Sequence, residues 1–165
     1  MNKKVLFICQ AAVIAALYVV LTLFINAFNL ANGNIQIRIS ESLTILPFFT
    51  PAAIPGLTIG CLLSNTFTGA LPPDIIFGSL ATLLGALGSY VLRAHKWLVP
   101  IPPIVANTLI VPFVLKYAYG LDAAVPFMML TVGIGEIISC YVLGMILLNA
   151  LNRFGKQLFS LDVNR

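Results

Sequence analysis

One carboxylate lies within a long apolar stretch of this sequence, where a charged side chain is costly. Glu136 follows Thr-Val-Gly-Ile-Gly and precedes Ile-Ile-Ser-Cys-Tyr. A carboxylate at the centre of a bilayer costs about 2.5–3.5 kcal/mol, so such a group normally faces a protein interior and has a partner. Glu136 is therefore either a ligand contact, which we favour, or a structural carboxylate that is protonated or paired.

Arg38 and Glu41 form a second possible binding group in the segment Arg-Ile-Ser-Glu. Their opposite charges could hold a polar ligand by charge-assisted hydrogen bonds. Two structural explanations stay open. The side chains could pair with each other, or Ser40 could cap a helix and place Glu41 in its first turn, where the helix dipole favours an acid.

Three further polar residues lie near predicted helix ends or within apolar runs. Asp74 follows Pro72-Pro73, a position typical of an acidic helix cap, and capping is its favoured role. Asn65 and Asn107 carry amide groups that lipid cannot satisfy, so they bond either to neighbouring helices or to a ligand. If successive helices alternate in direction, the candidate residues could line one outward-opening cup: Glu41, Asn65, Asn107 and Glu136.

The elements that must position these groups are transmembrane helices. Of the 165 residues, 60% are hydrophobic and 8% are charged, whereas an ordinary soluble domain has about 25% charged residues. Apolar residues run continuously instead of at every second position, which predicts helices and not a transmembrane barrel. The net charge of +4 comes from small basic groups at the ends of apolar segments, so we expect no nucleic-acid partner.

We predict an all-α integral membrane protein, a bundle of six transmembrane helices that forms a single domain over residues 1–165. The region 40–69 is the difficult one, because Pro47, Pro51 and Pro55 each remove a backbone donor and disfavour a continuous helix. Two short spans fit this region best. The predicted spans cover residues 5–26, 40–50, 54–69, 74–92, 97–117 and 123–152.

The basic residues predict how the bundle is oriented. With six spans, both termini are cytoplasmic and seven of the nine Lys and Arg residues lie on that side, as is typical of a plasma-membrane protein. A single crossing by 40–69 would instead place the Arg93–Lys96 cluster outside. The segment Val5–Asn26 is longer than the roughly 7–15-residue apolar core of a signal peptide, so we expect a retained first span.

The sequence lacks the motifs of an enzyme. It has no P-loop, no His-Glu-x-x-His, no Gly-x-Ser-x-Gly and one His, so we expect no catalytic residues, no cofactor and no ATP hydrolysis by this chain. Cys9, Cys61 and Cys140 lie in apolar runs without Cys-x-x-Cys spacing. They are interpreted as packing residues, and we expect neither a disulfide nor a metal site.

Small residues recur on one face of the first predicted span. Pairs of alanines stand four positions apart, a spacing that lets helices approach closely in lipid. Gly56 and Gly60 repeat the spacing on the third span. The alanines therefore serve either to pack the chain against itself or to contact a partner, and the residues concerned are Ala11, Ala12, Ala15 and Ala16.

Four segments give the sequence a resemblance to the QueT family of queuosine-precursor transporters. The longest contains Arg-Ile-Ser-Glu followed by the proline-rich stretch that ends at Gly56, and another reads Asp-Ile-Ile-Phe-Gly from Asp74. The segments are Ile35–Gly56, Gly60–Asn65, Asp74–Thr82 and Gly135–Gly144. The positions that match the resemblance are Arg38, Glu41, Asn65, Asp74 and Glu136.

That family resembles the substrate-binding S components of energy-coupling factor (ECF) transporters, which implies a six-helix bundle that captures its ligand outside the cell. The implied partners are a transmembrane coupling protein, which would contact the first-helix alanines, and two ATPase subunits. The implied ligand is a 7-deazaguanine such as preQ1, preQ0 or queuine. Its N–H edge could donate to Glu136 or Glu41, and the ammonium arm of preQ1 would need a second acid.

Two alternatives remain at this point. An S component for another small vitamin would share the fold, because ligand choice depends on a few residues of the cup. A stand-alone secondary carrier should show inverted repeats and matching interrupted helices in two halves, and only the 40–69 region is interrupted here.

Overall fold

The computed structural model describes residues 2–27 and 38–158, with side chains as far as residue 153. Six α-helices are α1 (Lys3–Ala27), α2 (Ala53–Phe67), α3 (Pro72–Val91), α4 (Ile101–Tyr117), α5 (Val125–Glu136) and α6 (Gly144–Leu158). Between them lie a 3₁₀ helix at Ile39–Phe48, a 3₁₀ turn at Leu92–Ala94 and a π-helical segment at Ile137–Leu143. These described residues contain no strand, which confirms the all-α prediction.

Three helical stretches are long and apolar enough to cross a bilayer. They are Lys3–Ala27, Pro72–Ala94 and Val125–Arg153. The shorter apolar helices Ile39–Phe48, Ala53–Phe67 and Ile101–Tyr117 occupy the second, third and fifth predicted spans. The 15 residues of α2 extend over about 22 Å, less than the hydrocarbon core of about 30 Å. A helical membrane protein is thus confirmed, while six full spans and cytoplasmic termini stay predictions.

The prolines determine where several helices begin. α3 starts at Pro72, two residues before the predicted start, because proline is favoured in the first turn, where its missing N–H costs nothing. Pro55 likewise lies in the first turn of α2. Pro47 lies inside the 3₁₀ helix and Pro51 follows it, so the proline-rich region consists of two separate helices, as predicted.

The 3₁₀ helix is the central element of the bundle. It packs against α1, α2, α3, α6 and the π-helical segment. Eight of its ten residues are buried, from Ser40 to Pro47. Its apolar residues Leu43 and Ile45 belong to a core shared with Tyr18 of α1, Leu57 of α2 and Leu148 of α6. The polar residues of this short helix are thereby carried into the protein interior.

Helices α1 and α2 approach each other closely through Gly60. A Cβ atom at Gly60 would lie 2.8 Å from Tyr18 Cβ and 3.1 Å from the carbonyl oxygen of Ala15. Ala15 is consequently buried, whereas Ala12 and Ala16 are exposed. Ala15 therefore packs against α2, and it also lines an apolar groove together with Ala11, Ala12 and Ala16, so the contact of these alanines with a partner stays a prediction.

A widened helical turn interrupts the last long helix. α5, the π-helical segment and α6 follow each other without a break, and the π-helical segment begins directly after Glu136. Such π-helical turns are rare and frequently occur at functional sites. Here the segment buries Ser139 and Cys140 next to Glu136, so it directs three polar side chains toward the 3₁₀ helix.

The contact at Gly60 leads to a prediction about stability. We expect Gly60→Ala to lower the free energy of unfolding by about 1–3 kcal/mol, because the new methyl group overpacks the junction of α1 and α2. The matched control is Gly133→Ala on α5, whose Cβ would make only ordinary contacts of 3.5 Å with Thr108. Thermal unfolding in detergent measures the stability of both variants. An equal loss of stability in Gly60→Ala and Gly133→Ala would contradict the role of Gly60.

Candidate ligand-binding site

Arg38 stands at the start of the 3₁₀ helix and faces the interior. Its backbone N–H donates to Ser139 Oγ at 3.2 Å, which ties the start of this helix to the π-helical segment. The guanidinium makes no hydrogen bond or ion pair with any residue that the structure describes. Arg38 and Glu41 therefore do not form the ion pair that the sequence left open, and no described residue occupies the donors of the Arg38 guanidinium.

Glu41 is buried in the centre of the bundle, and only one of its two carboxylate oxygens accepts a hydrogen bond from a described residue. The Tyr18 hydroxyl donates to Oε1 at 2.5 Å. Oε2 is buried and has no hydrogen-bond partner among the described side chains and backbone. Ser40 does not cap the helix, since its hydroxyl accepts a hydrogen bond from Thr22 at 2.9 Å. A buried polar group without a partner is costly, which makes Oε2 a candidate ligand acceptor.

Glu136 lies beside Glu41 at the end of α5. Its Oε2 accepts a hydrogen bond from Cys140 Sγ at 3.1 Å. One potential metal-ligand atom from each of Glu41, Glu136 and Cys140, a carboxylate oxygen or the thiol sulfur, lies within 4.8 Å of the other two. These three residues are close enough to share a metal ion, but the expectation of no metal site stays a prediction. Cys140 was interpreted as a packing residue, and its spacing of four from Glu136 on a helix was the available signal.

The two acids line a small inner pocket. Its volume is about 10 Å³, and Asn107 of α4 lies beside both carboxylates. Arg38 and Val111 also contribute to its wall. A volume of this size holds about one water molecule. The inner pocket is therefore too small for an aromatic ring in this conformation of the protein.

A larger outer cavity adjoins the inner pocket. Its volume is about 360 Å³, and its wall includes Arg38, Asn65 and Asp74. Arg38 and Val111 line both spaces. The six predicted site residues are thus brought together around two adjoining spaces: Asn65 and Asp74 at the outer cavity, Glu41, Asn107 and Glu136 at the inner pocket, and Arg38 at both.

Asp74 contributes to the cavity wall and to a contact between the first turn of α3 and the loop that follows α4. The N-cap of α3 is Leu71, so the prediction that Asp74 caps this helix is wrong. Asp74 Oδ2 instead accepts a hydrogen bond from the Tyr119 hydroxyl at 3.0 Å, and the same hydroxyl accepts one from the Leu71 N–H at 3.3 Å. Partial burial raises the pKa of Tyr119 above its ordinary value, so it is a protonated donor at neutral pH. Sequence reasoning missed this role of Tyr119.

Comparison with known proteins decides the family. A family model described as the QueT transporter matches residues 8–153, which include both spaces and all six candidate residues. The chain belongs to the QueT transporter family. This description names a transporter and not an enzyme, in agreement with the prediction that the chain is not an enzyme.

One named relative of this QueT family member is the "Queuosine precursor transporter QueT" of Lactococcus lactis subsp. cremoris. It is 41% identical to the chain over 83 residues, which cover 50% of this chain and 48% of the relative. The matched part thus spans about half the length of that relative. No solved structure matches the chain.

The hydrogen bond between Tyr18 and Glu41 in this QueT family member can be tested directly. We expect Tyr18→Phe to lower the free energy of unfolding by about 1–3 kcal/mol, because a second oxygen of Glu41 is left buried without a partner. Tyr141→Phe is the control, since the hydroxyl of this half-buried residue makes no hydrogen bond with the described residues. Thermal unfolding without ligand measures both, and an unchanged Tyr18→Phe variant would contradict the assignment.

Proposed function

We propose that this chain is the substrate-binding S component of an ECF transporter in the plasma membrane and takes up a queuosine precursor. The observation that carries the proposal is the outer cavity, whose charged and amide side chains adjoin two buried acids. A transporter must exchange the hydration shell of a polar ligand for protein groups of matching hydrogen-bonding character. These residues offer both donors and acceptors for that exchange.

The chemistry of a 7-deazaguanine fits the outer cavity. Its guanine-like edge presents adjacent N–H donors that one carboxylate accepts as a pair, and Asp74 is the acid in the described wall of this cavity. Asn65 offers both an amide donor and an acceptor. The Arg38 guanidinium can donate to the carbonyl oxygen of the ligand or stack on the ring face. We therefore assign the ring to the outer cavity, although the sequence favoured Glu136 or Glu41 for its edge.

The proposed orientation places the outer cavity on the external side. In the proposed topology six helices form one domain with both termini cytoplasmic, and the loop that carries Tyr119 lies outside. The Arg93–Lys96 group then lies at the inner surface, where Lys96 stands 5.0 Å from the centre of the Trp97 ring. A ligand would reach the cavity from outside, between the loop that follows α4 and the beginning of α3.

The energy for uptake is proposed to come from partner subunits, since the sequence has no P-loop. The proposed partners are a transmembrane coupling protein and two ATPase subunits. Exposed Ala12 and Ala16 line an apolar groove that also includes Ile59 and Leu63 of α2. In lipid, small residues on an exposed helix face allow close helix contact, so this groove is the proposed docking surface for the coupling protein.

The ligand assignment predicts a binding profile for the purified full chain. We expect at least one of preQ1, preQ0 and queuine to bind in calorimetry, while riboflavin, thiamine and biotin do not. Asp74→Asn should weaken binding by at least about tenfold, since it replaces an acceptor of two N–H groups by a group that is partly a donor. Asp122→Asn, which alters an exposed acid in the next outer loop, is the control. Binding of a vitamin in place of every deazaguanine would favour an S component for that vitamin.

The docking assignment predicts different results for neighbouring alanines. We expect Ala16→Trp to abolish assembly with the coupling protein while ligand binding by the solitary chain stays normal, because the change blocks close helix contact without touching the cavity. Ala15→Trp should instead destabilise the chain, since Ala15 packs against Gly60. Val105→Trp, at an exposed position on α4, is the control. Normal assembly and uptake with Ala16→Trp would contradict the docking surface.

A further inference from the structure

Helix α3 contains three glycines, and contact with α4 explains two of them. A Cβ atom at Gly85 would lie 2.7 Å from Pro103 Cα, and one at Gly88 would lie 2.5 Å from Pro102 Cβ. Both distances are too short for a side chain, so the close approach of α4 requires glycine at these positions. Gly78, the last residue of the motif Asp-Ile-Ile-Phe-Gly, has no such contact with the described residues of α4.

Gly78 lies instead beside two side chains of the candidate site. A Cβ atom at this position would lie 3.0 Å from Asn65 Nδ2 and 3.5 Å from Asp74 Oδ1. Asn65 and Asp74 line the outer cavity, whereas Gly78 lines the inner pocket. A distance of 3.5 Å is an ordinary van der Waals contact, but 3.0 Å is too short. A methyl group at position 78 would therefore push the Asn65 amide aside.

The Asn65 amide is held only weakly by the protein. Asn65 is 4% exposed, and its side chain makes one hydrogen bond within the described part of the chain, from Nδ2 to Cys61 Sγ at 3.7 Å. A thiol sulfur is a weak acceptor. The amide therefore keeps hydrogen-bonding capacity for a ligand, and the room beside Gly78 determines where this capacity is presented.

We propose that Gly78 is a positioning residue for ligand binding, because its missing side chain lets the Asn65 amide stand at the wall of the outer cavity. This inference rests on the proposed function, in which Asn65 bonds to the ring of the ligand. Alanine at position 78 would favour the helix over glycine, and the end of the Asn65 side chain can move aside at little cost to the fold. The same movement takes the amide out of line with the ring, and hydrogen bonds weaken steeply as their angle departs from linear.

The test compares Gly78→Ala with Gly85→Ala in the purified full chain. Calorimetry with preQ1, preQ0 and queuine measures binding, and thermal unfolding in detergent without ligand measures stability. We expect Gly78→Ala to weaken each probe that binds the unmodified chain by at least about fivefold, the loss of roughly one neutral hydrogen bond, while the unfolding temperature is unchanged or higher. Gly85→Ala should lower the unfolding temperature, since its methyl group meets the backbone of Pro103.

Three other results would overturn the inference. Normal affinity in Gly78→Ala would do so and leave the proposed function standing. A fall in unfolding temperature as large as that of Gly85→Ala would show that Gly78 is a packing residue. If the unmodified chain binds none of the three probes, the proposed function fails and the inference fails with it.

A second pair of variants tests whether Gly78 acts through Asn65. We expect Asn65→Ala alone to weaken binding by at least about fivefold. Addition of Gly78→Ala to that variant should weaken binding by no more than about twofold further, because both changes remove the same contact and are not additive. A larger further loss would overturn the inference, since the methyl group would then act without Asn65. Gly133→Ala, whose Cβ would lie 3.5 Å from Thr108, is the control and should leave the affinity unchanged.

Discussion

The burial of Glu41 is the constraint on which the rest of the structure depends. A carboxylate within a membrane protein must be shielded from lipid and given partners. The 3₁₀ helix that carries Glu41 is accordingly surrounded by α1, α2, α3, α6 and the π-helical segment. The Tyr18 hydroxyl supplies one hydrogen bond, and Oε2 is left for another group. The polar interior is therefore built around an acceptor that the described residues satisfy only in part.

Close helix packing makes this arrangement possible. Gly60 lets α2 lie against α1 beside Tyr18, and Gly85 lets α3 lie against Pro103 of α4, where a Cβ would come within 2.7 Å of the Pro103 Cα. These close contacts at glycine leave no room for lipid between the paired helices.

The site consists of two spaces of different size. The outer cavity has a volume of about 360 Å³ with charged and amide side chains in its wall, whereas the inner pocket has a volume of about 10 Å³ and two buried acids in its wall. Buried polar groups discriminate strongly between ligands, because an analogue without the matching group leaves them unpaired. The proposed function therefore assigns the ring of the ligand to the outer cavity.

The sequence by itself determined the helical membrane class, the two-part nature of region 40–69 and the candidate polar residues, because charge and proline in apolar runs are costly and therefore informative. Only the tertiary structure determined which of the candidate polar side chains lie in contact with each other. Hydropathy does not distinguish a lipid-facing alanine from a packed one. Ala15 and Ala16 are therefore equivalent in the sequence pattern, although Ala15 is buried and Ala16 is exposed. Local spacing likewise favoured a cap for Asp74 and an apolar role for Cys140. Their actual neighbours, Tyr119 and Glu136, are set by helix packing and by the register of the π-helical segment.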